Sequence, residues 1–167
     1  MINIRKAKLE DVEKIYESLK QVAQKLNEPD WLSVSNHIDT YEKFIKCGYS
    51  VVACDNSKII GCFLSEKTDI DKHDLYKMLN YNDNDINETL LVQACYVLDE
   101  YRGLGLQHKM LKEIEKMCEN TNIRRYICTV HPENKFSLNN MLKSGYEIKY
   151  KTKLYGGLDR YILEKLM

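Results

Sequence analysis

The sequence predicts an α/β fold in which helices cover both faces of a mixed sheet of about seven strands. Three observations predict it. Thr89 to Asn120 reads as a strand, a glycine turn and an amphipathic helix in direct succession. On either side of that stretch, apolar strand-like runs interleave with segments of helical periodicity. The length, 167 residues, suits one domain with a substantial core.

The elements follow in order. Met1 to Ala7, with Ile2 and Ile4 alternating, is expected to be a short strand. Leu9 to Leu26 spaces Val12, Ile15, Tyr16, Leu19, Val22, Ala23 and Leu26 along one helix face. Asp11 and Glu13 suit the positive end of that helix. Asn27 to Asp30 ends it, because Pro29 disfavours helix at the residue before it. Trp31 to Asp39 reads as irregular or a short helix, and Tyr41 to Lys46 as a helix capped by Gly48. Tyr49 to Cys54 and Ile59 to Ser65 form a hairpin across Asp55-Asn56-Ser57-Lys58. Asp69 to Glu88 is polar and acidic, with a short helix suggested by Leu75, Met78 and Leu79 and an Asn/Asp-rich run from Tyr81 to Asn87. That segment reads as a solvated surface insertion, with a substrate lid as the alternative.

Leu90 to Leu98 is apolar enough for a strand covered on both faces. Arg102-Gly103-Leu104-Gly105 turns, and Leu106, Met110, Ile114 and Met117, widened by Leu111 and Cys118, mark the next helix. Arg124 to Val130 is a strand, and Lys135 to Ser144 a helix ended by Gly145. Tyr146 to Lys153 and Arg160 to Leu166 are strands on either side of the Tyr155 to Asp159 turn. No repeat, low-complexity tract or linker interrupts the order, so residues 1–167 are expected to form a single domain.

Composition narrows the partners. Lys and Arg number 25 against 25 Asp and Glu, a net charge of +0, which argues against a dedicated nucleic-acid surface. No apolar run reaches the roughly 18–20 residues of a membrane span. The charged N-terminus lacks the apolar core of a signal peptide. A cytoplasmic protein without membrane association is expected. The six cysteines form no C-x-x-C pair and read as small buried hydrophobes, so no metal site is expected.

The strand–glycine–helix stretch carries the chemistry. Gly103 and Gly105 let an anion approach the backbone at a helix N-terminus, where the dipole adds about half a positive charge. This is a phosphate-binding arrangement. It is not a Walker loop, and His108 occupies the third glycine position of a dinucleotide fingerprint. YRGLGLQ instead resembles the pyrophosphate loop of the GCN5-related N-acetyltransferases (GNAT superfamily), [QR]-x-x-G-x-[GA] after V-x-P-x-[YFR]. Arg102, Gly105, Val97 and Tyr101 match, while Asp99 replaces the usual Pro and Gln107 the usual Gly or Ala. HPENKFSLNNMLKSGYEI is similar to a second family motif, matching at Asn134, Ser137, Lys143, Gly145 and Tyr146. IRKAKLEDVEKI is similar to the family's first strand and helix, so the resemblance spans the chain.

The resemblance implies the GNAT fold, with a mostly antiparallel sheet, and acetyl-CoA or another acyl-CoA as co-substrate with no metal. It implies an opening between the central strand and the Arg124–Val130 strand. Backbone groups of Val97, Leu98 and Asp99 would pair with the pantetheine arm. Arg102, Gly103, Leu104, Gly105, Leu106 and Gln107 would hold the pyrophosphate. Asn134 and Ser137 would meet the pantetheine, and Lys143 completes the cofactor candidates. A main-chain N–H near Val97 or Leu98 would serve the oxyanion. From the residues alone, Asn134 can also be simply a helix cap, the lesser alternative.

Two usual catalytic groups are missing: Met141 stands at the family's Tyr position, and Thr129 at the Glu of ribosomal-protein acetyltransferases. The substitutes are His131, on the strand face of Thr129, Tyr155 in its turn, and Glu88 at the start of the central strand. The expected function is an N-acetyltransferase acting on a small-molecule amine or polyamine in a ternary complex. The alternative is a non-catalytic acyl-CoA-binding sensor or interaction module. Many relatives pair, so a homodimer is possible, but nothing in the sequence marks an interface.

Overall fold

The computed structural model describes residues 1–26, 28–67 and 74–167. Asn27 and the Asp69 to His73 part of the acidic stretch lie outside the described residues. The elements are β1 (Ile2–Lys6), α1 (Val12–Lys25), α2 (Ile38–Cys47), β2 (Val51–Asp55), β3 (Lys58–Lys67), α3 (Asp74–Met78), α4 (Asp83–Asn87), β4 (Thr89–Val97), α5 (Leu106–Cys118), β5 (Arg125–Val130), α6 (Lys135–Lys143), β6 (Glu147–Leu154) and β7 (Leu158–Leu166). Seven strands form one sheet in the order β1-β2-β3-β4-β5-β7-β6. β4 and β5 run parallel, whereas β1–β2, β2–β3, β5–β7 and β6–β7 are antiparallel. The sheet is therefore mixed and mostly antiparallel, as expected.

The chain divides into two compact units, Met1–Glu66 with Gln93–Asn120, and Lys67–Val92 with Thr121–Met167. In the first, Val12, Ile15 and Leu19 of α1 and Tyr41 and Ile45 of α2 pack on Val52, Cys54, Cys62, Leu64 and Tyr96. Ile15 and Leu19 are wholly buried, each stabilising the fold by about 1.5–3 kcal/mol. Val51 and Ala53 alternate onto the opposite face and are also buried, on the side where α5 packs against β1 and β2. In the second unit Leu91, Ile127 and Ile162 pack with Leu75, Tyr76 and Ile86. Tyr126, Cys128 and Val130 are buried on the reverse face of β5.

Three sequence readings need correction. The second helix starts at Ile38 rather than Tyr41. Gly48 caps that helix as read, but not in the left-handed form: its backbone is extended (φ −126°), and a Cβ there would lie 1.8 Å from the Ser65 carbonyl oxygen. Glycine is required for close approach, not for turning. The segment from residue 74 is not a solvated loop, because Leu75, Tyr76 and Ile86 are core residues. The Asn/Asp run forms α4, started by a reciprocal cap in which Asn82 Oδ1 accepts from the Asp85 N–H (3.0 Å) and the Asp85 carboxylate accepts from the Asn82 N–H (3.1 Å). The hairpin turn and the Gly145 cap (φ +92°) form as expected. Among the described residues, no helix is long and apolar enough to cross a membrane.

Candidate functional site

Within the first unit, β4 ends at Val97 and the chain makes one 3-10 turn, Asp99–Tyr101, before the glycines. The turn is tied down at both ends. The Tyr101 hydroxyl donates to Asp55 (3.2 Å), and Lys58 pairs with Glu100 (2.9 Å) and lies over the Tyr101 ring. Gly103 and Gly105 then take left-handed conformations, φ +81° and +68°, and Gly105 is the residue from which α5 begins. A Cβ built on either would meet nothing within 4 Å. Packing therefore does not require these glycines; their dihedrals and the open space above them do the explaining. α5 has no side-chain cap and no acidic residue in its first turn, so its positive end is not offset by protein charge there.

Asp99, which replaces the usual Pro, pairs with Arg102 at 2.8 Å, both about half exposed. That pairing partly neutralises the guanidinium, leaving the backbone and dipole as the main attraction for an anion. The Leu98 N–H donates to the Ile60 carbonyl (2.9 Å) and is committed to the sheet. Adjacent N–H groups of a strand point to opposite edges, so Val97 presents its N–H at the other edge.

Within the second unit, Asn134 caps α6: its Oδ1 accepts from the Ser137 N–H at 3.2 Å. The carboxamide NH₂ is the group that remains to donate to a ligand. Lys143 is exposed in the last turn of α6. Met141 is buried in the core. His131 Nδ1 accepts from the Glu133 N–H (3.2 Å), so a neutral imidazole carries its proton on Nε2 and has no lone pair there to take another. Glu88 gives its carbonyl to the N–H groups of Arg124 and Arg125, at the start of β5. His131 follows the far end of that strand, about 20 Å away at 3.3 Å per residue. The structure does not bring Glu88 to His131 and Thr129.

It does bring Tyr155 to Thr129, their hydroxyls 3.2 Å apart. Tyr155 has a left-handed backbone (φ +53°) followed by Gly156 and Gly157, both also at positive φ. The Arg160 guanidinium lies over its ring, 5.7 Å from the centroid. A non-glycine residue held in that region stores strain of roughly 1 kcal/mol or more, and such strain gathers at functional positions. Sequence reading named both residues but not their pairing, which depends on a three-residue turn whose shape only the glycines hinted at. Among the described residues, no group of three or more His, Cys, Asp or Glu is placed to hold a metal.

The profile of the acetyltransferase (GNAT) family matches residues 12–146. No curated protein matches the chain. Solved structures do, at low identity. A GNAT-family acetyltransferase from Streptococcus pneumoniae shares 18% identity, with 100% of each chain covered and a TM-score of 0.71. NAA60 of Arabidopsis thaliana, solved with acetyl-CoA, shares 14% identity over 100% of each chain at a TM-score of 0.76. The ribosomal-protein-alanine N-acetyltransferase of Brucella melitensis shares 14% identity over 99% of each chain at a TM-score of 0.71. At these identities the structural likeness speaks for the fold.

Proposed function

The chain belongs to the acetyltransferase (GNAT) family, and from that premise we propose that it transfers the acetyl group of acetyl-CoA to a primary amine by direct attack in a ternary complex. The observation that carries the reading is the Gly103–Gly105 turn, two left-handed glycines open to solvent at a helix start that carries no acidic residue. The backbone of Arg102 to Gln107 takes the pyrophosphate, and Val97 to Asp99 the pantetheine. The Asn134 NH₂ and Ser137 are assigned to the same arm, and Lys143 to outlying phosphate charge. The Val97 N–H is the oxyanion donor, because that of Leu98 is already used.

The neutral amine attacks the thioester carbonyl. The N–C bond forms, the C–S bond breaks, and the thiolate leaves as CoA thiol by taking a proton. Tyr155 is assigned as that acid, and the proton lost by the new amide's nitrogen passes to water or back to the phenolate. Glu88 and His131 are set aside on their placement and hydrogen bonding. A small-molecule acceptor and a cytoplasmic setting are the readings adopted. The structurally similar proteins include acetyltransferases of protein substrates, so peptide amines belong in the test.

The test is CoA release from acetyl-CoA with a panel of small amines, polyamines and peptides, beside a no-amine control. Amine-dependent release supports the reading. Gly105→Ala adds a methyl group over the anion path in open space, so its expected fold cost is only about 1 kcal/mol, while release falls at least about tenfold. Stabilisation by CoA without release from any amine would favour the non-catalytic acyl-CoA-binding module.

A further inference from the structure

The anion-binding turn has little packing of its own. From Asp99 to Gly105 every residue is exposed except Tyr101, which is partly buried. Leu98 before it is fixed by its N–H bond to the Ile60 carbonyl, and Leu106 after it is buried. Among the described residues, the side-chain bonds that tie the stretch to other parts of the first unit come from the two ends of the β2–β3 hairpin turn. Asp55 accepts from the Tyr101 hydroxyl at 3.2 Å. Lys58 pairs with Glu100 at 2.9 Å, its ammonium 5.6 Å from the centre of the Tyr101 ring. The Asp99–Arg102 pair lies within the stretch.

Such a stretch binds an anion well only if its N–H groups already converge on it. Gly103 and Gly105, both at positive φ, have more backbone freedom to lose than any other residue type. Ordering them on binding costs affinity, so stiffening the free turn raises it. Proline is the simplest stiffener. Leu98, at φ −59° and ψ 145°, has the conformation that a following proline requires. Asp99 is the first residue of the 3-10 turn, where φ lies close to proline's and the N–H has no role within the turn. The backbone at position 99 would accept proline, yet the residue there is Asp.

We propose that Asp55 and Lys58 are positioning residues for the pyrophosphate: acting through Tyr101 and Glu100, they brace the glycine turn in its anion-ready shape, as a proline at position 99 would. Neither needs to touch the ligand. The exposed ion pair adds little to overall stability. Its effect is local, on the residues that lead into the first glycine. The inference rests on the acyl-CoA reading for the nature of the anion.

Lys58→Met, Glu100→Gln and Tyr101→Phe together remove the brace and leave the net charge unchanged. Expected are lower ¹⁵N order parameters at Gly103 and Gly105 in the free protein. The CoA dissociation constant, by titration calorimetry, should rise about three- to tenfold. Asp99→Pro in that background should restore both. Asp99→Pro also frees Arg102 from its partner, but it does so in the braced protein as well, so the brace is read from the difference between the two gains. Lys58→Arg, which keeps the ion pair and the ring contact, should bind CoA as the unsubstituted protein does. Equal gains from proline in both backgrounds, or an unmoved dissociation constant in the unbraced protein, overturn the brace while acyl-CoA binding stands. Weaker binding with unmoved order parameters overturns it too, since the turn has then not loosened. No CoA binding by the unsubstituted protein sinks the acyl-CoA reading and this inference with it.

Discussion

Asp11 shows how a single carboxylate organises the first unit. It is 4% exposed, receives both ends of the Arg5 guanidinium at 2.7 and 2.9 Å, and accepts the Lys8 N–H at 2.8 Å. Burial pushes the carboxyl up, but the hydrogen bonds from Arg5 and Lys8 outweigh it, and the group titrates below its ordinary value. A carboxylate with a depressed folded pKa adds stability that is full above its unfolded pKa, about 3.9. That stability is lost as pH falls through the folded value. Asp11→Asn should therefore destabilise the protein by about 2 kcal/mol near neutrality. The gap from the unsubstituted protein should close below about pH 4, as followed by urea melts at stepped pH. A gap of constant size across that range would show that packing, not charge, is what Asp11 supplies. The sequence placed Asp11 correctly as a helix-start acid but assigned it to the dipole. Its partner Arg5 lies on β1, and no local pattern reports a bidentate contact made six residues away.

The α3–α4 segment is where sequence and structure part furthest, and the reason is cross-element bonding. The Tyr81 hydroxyl donates to Glu164 on β7, and Arg125 of β5 pairs with Asp85 at 2.7 Å while lying over the Tyr81 ring at 5.3 Å. Lys149 of β6 reaches the same Glu164 at 3.5 Å. Burial first, then the Glu164 bond, raise the Tyr81 phenol, so it remains a donor at any ordinary pH. A run rich in Asn and Asp reads as solvated because its own residues offer little to bury. Here it is held by charged side chains of two distant strands, β5 and β7, while Lys149 of β6 pairs with Glu164 and not with the segment. The Asn82–Asp85 spacing of three residues is a capping signal that the sequence reading passed over, whereas the clasp has no local signature. Tyr81→Phe should cost about 1–3 kcal/mol by leaving Glu164 short of a donor. Hydrogen exchange at the Tyr81 amide, which bonds the Tyr76 carbonyl at 2.9 Å, should quicken with it. Unchanged protection there would mean that Leu75, Tyr76 and Ile86 hold the segment without the clasp.

The long strongly patterned elements, β4, α5 and the hairpin, were readable because each carries its period in adjacent residues. The two-unit division was not, since it depends on contacts between residues far apart in the chain. The division cuts through β4: Thr89–Val92 belongs to one unit and Gln93–Val97 to the other. One continuous strand thus contributes to both cores, through Leu91 on one side of the cut and Tyr96 on the other. Unfolding either unit alone would strip part of β4 of its packing while the rest stayed ordered, a boundary with unpaired backbone groups and exposed apolar side chains. We expect the chain to unfold as one domain. The only tryptophan, Trp31, reports on the first unit, whereas far-ultraviolet circular dichroism weighs both. In urea the two signals should trace coincident transitions with one midpoint, as two-state unfolding requires. A Trp31 transition displaced from the dichroism curve would establish that β4 can be parted at Val92 and that the units are separate folding units.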